Sequence, residues 1–331
     1  MDVVTLGMAK AAAKRYAPVA HLASPTDAAN ALPMPVRVDT DPIVTAADSA
    51  LPSIYWPWVI KVAGLIGSPL SNYYMYTSTD HDEGPGGIEL WKAAAPAGPW
   101  TSHGVVYTDT VTGSQTETPT VLWNAVTSLF HMYYQQAYAS GSVDQSTYLA
   151  TSPDGVTWTR VGKVIDVLNA TEQPGDGHTG YANVFKIGDQ WFAYHLKGGS
   201  AYAHFGIATS LDGITWTLDP RPLGYGAEWY AQTGNRLISW NHSTVVQWRG
   251  RNVIVGVVSN FAGGAVAKDA RMFVAPLSPD LRRLVGPPRI ILEPTGWETP
   301  NYRALCVLVD NGKLHLYYQT DGNIGLATTE V

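Results

Sequence analysis

TSPDGVTWT (151–159) and TSLDGITWT (209–217) are nearly the same nine residues, written twice in one chain. The Asp-Gly pair in each suits a tight hairpin turn with positive φ, and Trp158 and Trp216 are expected to cap the core of the unit they belong to. Working outward, each phrase ends a strand (STYLATS, 146–152; FGIATSL, 205–211) and leads into another that begins near VTWT (156–159) or ITWT (214–217). Similar third strands are GIELWKA (87–93), ARMFVAP (270–276) and NIGLATT (323–329), and similar fourth-strand starts are GPWT (98–101) and VGPP (285–288). Upstream of each third strand stands a second: NYYMYTS (72–78), LFHMYYQ (129–135), QWFAYHL (190–196), NVIVGVV (252–258) and KLHLYYQ (313–319). A first strand precedes each of those: WPWVIKV (56–62), TPTVLWN (118–124), YANVFKI (181–187), HSTVVQW (242–248) and RALCVLV (303–309). Five repeats of four short antiparallel strands predict an all-β, five-bladed β-propeller.

The fifth repeat lacks a fourth strand before Val331. VRVDTDPIV (36–44) reads like one, resembling RVGKVID (160–166) and GPPRIIL (286–292), so it is expected to complete the last blade and close the ring. Two β-sandwiches are the alternative that the strand text also permits. Residues 1–33 differ in texture. LGMAKAAAKRY (6–16) has helix formers with cations in its last turn, and Pro18, Pro25, Pro33 and Pro35 then break the chain. The expected division is a helical leader and linker over 1–33, with a propeller over 34–331.

Composition narrows the function. Of 331 residues 45% are hydrophobic, 11% aromatic and only 15% charged, which argues against disorder. A net charge of −6 without a dense Lys/Arg stripe argues against a nucleic-acid partner. One cysteine, Cys306, excludes an internal disulfide framework and a cysteine-based metal cluster. No apolar run is long enough to span a membrane, and Met1 to Pro18 has no secretory h-region. The nine histidines show no metal-ligand spacing, so neither a metal nor a cofactor is expected.

In a propeller the first strands line a central channel, and their starts converge on one end. The channel positions here are Trp56, Glu117, Thr118, Tyr181, His242 and Arg303. Asp80, His81, Asp82 and Glu83 join from the first blade, and Asp176, His178 and Glu298 from connections between blades. Aromatic faces, acids, imidazoles and an arginine in a concave mouth suit a sugar, because rings stack on its apolar faces while polar groups bond its hydroxyls. The candidate acids are Glu117, Glu298 and Asp80; the candidate glycan contacts are Trp56, His81, His178, Tyr181, His242 and Arg303. Each has a plain structural reading beside it. Trp56 and Tyr181 equally suit channel filling, and His242 suits a bond to a neighbouring blade. The Asp80 to Glu83 loop suits a solvated turn. Glu117 and Glu298 open identical Glu-Thr-Pro triplets (117–119, 298–300), which suits a shared rim position or a shared hydrogen-bonding role. Asp154 and Asp212 belong to the turns.

WPWVIKV…NYYMYTSTDH…GGIELWKAAAPAGPWT (within 56–101), the two SxDGxxW segments and KLHLYYQTDGNIGLATTEV (313–331) resemble the five-bladed propellers of glycoside hydrolase families 43, 32, 62 and 117. The resemblance spans most of 36–331 and implies hydrolysis of glycosidic bonds, often furanosidic, by paired carboxylates. In family 43 an Asp-Pro pair opens the first innermost strand and supplies the base; here Trp56-Pro57 stands there, and Asp41-Pro42 falls in the closing strand. Near the fourth-blade position that often supplies a Glu acid stands His242. Binding without cleavage, or a rearranged catalytic site that hydrolyses a cell-wall polysaccharide with Glu117, Glu298 or Asp80 among its acids, therefore fits these residues better than family 43 hydrolysis. DVVTLGMAKAAAKRYAP (2–18) resembles the leaders of actinobacterial phage minor tail proteins. That resemblance implies a virion tail-tip location, other tail proteins as partners, a homo-oligomer formed through 1–33, and a host cell-surface polysaccharide as ligand.

Overall fold

The computed structural model describes residues 32–79, 85–111, 115–137, 145–166, 178–197, 204–225, 237–238, 243–248, 250–259, 270–298, 302 and 304–330. These form five antiparallel sheets, one per blade. Blade one is Tyr55–Lys61, Tyr73–Ser78, Ile88–Ala93 and Thr101–Tyr107. Blade two is Glu117–Asn124, Leu129–Ala137, Gln145–Ser152 and Thr159–Ile165. Blade three is Asn183–Ile187, Gln190–Lys197, His204–Ser210 and Thr217–Asp219. In blade four the inner edge of Arg251–Ser259 pairs with two pieces in succession, Thr244–Trp248 and Leu237–Ile238; Arg271–Pro276 and Arg289–Leu292 follow outward. Blade five is Ala304–Asp310, Lys313–Thr320 and Asn323–Glu330, closed by Val36–Arg37 from the other end of the chain. The expected closing strand is real but interrupted: Val36 and Arg37 pair with Thr328 and Ala327, and contact resumes at Val44 opposite Ile324. The leader expected over 1–33 lies outside the described residues except for Leu32 and Pro33. Leu32 is buried against blades four and five, and Pro33 O accepts from Thr329 Oγ1.

Alternation explains the layers. Outer strands such as Thr101–Tyr107 and Thr159–Ile165 alternate exposed and half-buried residues, whereas Tyr73–Ser78 is buried throughout because other blades cover both its faces. The outer strands also carry Gly104 and Gly162 at positive φ beside register shifts. Such bulges bend an edge strand away from pairing with another chain.

The repeated turns hold the blades to each other. Ser152 and Asp154 cap their own turn, Asp154 Oδ1 accepting the N–H groups of Val156 and Thr157, with Gly155 at φ +75. Ser210, Asp212 and Gly213 repeat this set, and the backbone donors from Thr215 and Ile214 pull the Asp212 carboxyl down to about 2. The carbonyls of Gly155 and Gly213 then accept the buried hydroxyls of Tyr76 and Tyr133 from the preceding blade. Trp158 and Trp216 pack against cores that include residues of their own blades, and they also meet the same tyrosines edge-on at 5.9 and 5.8 Å, so they seal the seams between blades as well. Tyr194 bonds Leu281 O in blade four, and Tyr317 bonds Pro96 O in blade one. The four tyrosines share one place in the register, opposite Trp58, Thr120, Asn183 and Cys306 of the innermost strands.

Candidate functional site

Three innermost strands begin alike. Trp56, Thr118 and Tyr181 have φ of 49, 54 and 52°. Bulky and β-branched side chains rarely occupy this left-handed region, and each costs of order 1–3 kcal/mol that the surroundings must supply. Bulges produce it: Tyr55 faces Ser78 and then Trp58 faces Tyr76, while Glu117 faces Gln135 and then Thr120 faces Tyr133. In blade three the N–H of Leu196 reaches Gly180 O, and Asn183 faces Tyr194. Tyr55, Glu117 and Gly180 are therefore equivalent, each standing just before a strained residue. Pro57 and Pro119 follow two of the three, where a ladder N–H is not needed.

These residues meet at one end of the channel. The rings of Trp56 and Tyr181 pack edge to face at 5.9 Å, Tyr55 lies 5.2 Å from Trp56, and Leu196 and Ala304 complete a small apolar cluster. Trp56 and Tyr181 are 4% and 3% exposed, so the aromatic pair fills the channel, while Tyr55 beside it is half-buried. Glu117 is buried. Gln135 Nε2 donates to its Oε2 at 3.1 Å, and Gln135 Oε1 accepts the N–H of Tyr181 at 3.1 Å. Ser78 Oγ accepts the N–H of Thr118 at 3.1 Å, joining blade one to blade two. Half-buried Gln115 and His178 stand near this set: Gln145 Nε2 donates to Gln115 Oε1, and His178 bridges to Gln145.

Of the residues expected from sequence, the structure brings together Trp56, Glu117 and Tyr181, with His178 close along the chain. Asp80, His81, His242 and Arg303, with Asp82, Glu83 and Asp176, lie outside the described residues. Glu298 is elsewhere. The matching Glu-Thr-Pro triplets do not occupy matching places: Glu117 opens an innermost strand, whereas Glu298 ends the short 3-10 turn Gly296–Glu298, before Ala304–Asp310 begins. Its carboxylate accepts Arg37 Nε and Nη2 from the closing strand, the hydroxyls of Tyr302 and Tyr318, and the N–H of Thr295. Burial pushes this carboxyl up, but Arg37 and Tyr318 outweigh it and hold it below the ordinary glutamate value. Its counterpart is Asp109, which sequence reading missed. Asp109 accepts Tyr134 OH and Arg160 Nε of blade two as Glu298 accepts Tyr318 and Arg37 of blade five. Gln135, Gln145, Gly180 and Tyr55 were missed too. The signal for Gln135 was present in LFHMYYQ, whose last residue the register sets opposite the first residue of the bulge.

Among the described residues no group of three or more His, Cys, Asp or Glu side chains could hold a metal ion, and no helix is long and apolar enough to cross a membrane. No protein-family model matches the chain, and no curated protein matches it. Solved structures do. An N-acetylgalactosamine deacetylase from F. plautii, in complex with blood group B trisaccharide, is 14% identical with a TM-score of 0.60, over 90% of this chain and 95% of its own. A protein from family 130 of mannoside phosphorylases, which contains glycoside hydrolases that target β-1,2 mannosidic linkages in Candida mannan, is 14% identical with a TM-score of 0.64, over 91% and 94%. A family 32 β-fructofuranosidase of Bombyx mori is 11% identical with a TM-score of 0.54, over 84% of this chain and 60% of its own. The chain is thus a five-bladed propeller with structural neighbours among glycoside hydrolase families 130 and 32. At such identities the likeness shows the fold alone.

Proposed function

We propose that this propeller recognises a glycan at the channel end where its innermost strands begin, and that it binds without cleaving by the family 43 route. One observation carries the reading. Of the two described acids expected from sequence, Glu298 is engaged in closing the ring, whereas Glu117 lies at the channel end, bonded by Gln135, near Tyr55, Trp56 and Tyr181. Glycosidic hydrolysis by paired carboxylates needs a second acid roughly 5–9.5 Å from the first, and Trp56 stands where the family 43 base would be. A carboxylate that accepts hydroxyl donors, next to a half-buried tyrosine, suits recognition of a sugar.

The test is to incubate the purified protein with bacterial cell-wall polysaccharide, yeast mannan and inulin, following capture of intact glycan and release of reducing ends in parallel. Capture without release, weakened about tenfold in Glu117→Gln (about 1.4 kcal/mol), is the expected result. Release that disappears in Glu117→Gln would instead make the protein a glycoside hydrolase. The finer reading, a tail-tip receptor for host cell-surface polysaccharide oligomerised through 1–33, is supported by residues 2–18 alone. It predicts this chain in purified virions by mass spectrometry, and a virion proteome without it overturns that part.

A further inference from the structure

Gln135 faces Glu117 across the register of blade two, and its amide makes two bonds in opposite directions. A backbone N–H can only donate, so the Tyr181 N–H at 3.1 Å fixes Oε1 as the end of the amide that faces blade three. The NH2 end is thereby committed to Glu117 Oε2, also at 3.1 Å. Room for this amide exists because residue 180 is glycine: a Cβ there would lie 2.6 Å from Gln135 Oε1 and 3.1 Å from Gln145 Oε1. The other blades supply a contrast. Gln319 holds the corresponding place in blade five, opposite Ala304, and there neither amide atom has a hydrogen-bond partner among the described residues. Blade one has Ser78 in this place, and blade three has Leu196. The glutamine is therefore bonded at both ends in the blade whose innermost strand opens with an acid.

With Glu117 read as the acid of a glycan site, we infer that Gln135 is the positioning residue of that site. It holds the Glu117 carboxylate as a hydrogen-bond acceptor and ties it to the backbone of Tyr181, so that the acid and the aromatic pair filling the channel form one unit across blades two and three. The ligand chemistry this arrangement suits is a neutral sugar whose hydroxyls donate to Glu117.

A double-mutant cycle on affinity for yeast mannan, inulin and dextran tests this. If Gln135 acts through Glu117, Gln135→Leu and Glu117→Gln each weaken binding about tenfold, and the double variant is no weaker than either single one within about threefold. Additive losses overturn the inference. Gln135→Met, which keeps the length of the side chain and removes both of its hydrogen-bonding ends, serves if Gln135→Leu fails to fold. A second readout needs no ligand: in the nitrogen-proton NMR spectrum the Gln135 side-chain amide protons should move upfield in Glu117→Gln, as a charged acceptor is replaced by a neutral one. An unmoved resonance overturns the positioning role. Failure of the wild type to bind any of the three polysaccharides would sink the glycan reading instead, and the amide resonance would still decide the role of Gln135.

Discussion

At the scale of single residues, glycine and glutamine decide more than the residue types that draw the eye. Gly180 carries no chemistry, yet a methyl group there would displace the Gln135 carbonyl from the Tyr181 N–H. Gly180→Ala is expected to cost about 1–3 kcal/mol, the penalty for a buried N–H left unbonded, and to weaken glycan capture as Gln135→Leu does. Gly67→Ala, where a Cβ would meet nothing within 4 Å, is the matched control and should be neutral. Urea unfolding of the two variants beside the wild type checks this, and equal midpoints would refute it. Trp56 and Tyr181 were legible as residues of the channel end because they open repeated first strands. That they pack against each other, with almost no face left for a ligand, depends on two blades meeting, and no local pattern encodes that.

Elements carry the repeat, and the SxDG turn is its clearest word. The sequence shows the turn twice; the structure shows it a third time, disguised, at Ser278 to Leu281. There Ser278 Oγ bonds Asp280 Oδ1 and Leu281 takes φ +62 in place of the glycine. In all three cases a tyrosine of the preceding blade bonds the carbonyl of the left-handed residue, so the turn serves the seam more than its own hairpin. Tyr133→Phe keeps the ring against Trp216 and removes the hydroxyl with its bond to Gly213 O and its long contact with His131 Nδ1, and is expected to lower stability by about 1 kcal/mol. Tyr133→Ala loses the buried ring as well and should cost about 3–5 kcal/mol. Urea denaturation with unchanged slope measures both; near-equal losses would mean that the hydroxyl, not the packing, holds the seam.

For the whole molecule the decisive contact joins the start of the described chain to the turn that leads into its last blade. Arg37 stands 26% exposed on the closing strand and pairs at 2.5 Å with Glu298, which is 1% exposed. Arg37→Met leaves a buried carboxylate without its cation and should cost about 3 kcal/mol, the low end for such pairs because Arg37 is partly solvated. Replacing Glu298 as well, in Arg37→Met/Glu298→Gln, should recover part of the loss. The pH dependence has a definite sign. The Glu298 carboxyl is lowered from its ordinary 4.5, so its contribution is present in full above roughly pH 4.5 and fades as pH falls through the lower native value. The gap between wild type and Arg37→Met in guanidinium unfolding should therefore be widest near neutrality and narrow toward pH 3. A gap that stays constant would show that the ion pair is not its source.

Strand text, turn residues and repeat spacing determined the blade count, the four-strand blades and the closing strand, because each is written in residues a few places apart and obeys the two-residue period of a strand. Only the tertiary structure separated Glu117 from Glu298. Their triplets are identical, but a bulge puts one acid at the start of an innermost strand, and a 3-10 turn puts the other beneath an arginine that arrives from the far end of the chain. Register and ring closure are contacts between distant segments, and identical local sequence holds no information about which of them it will meet.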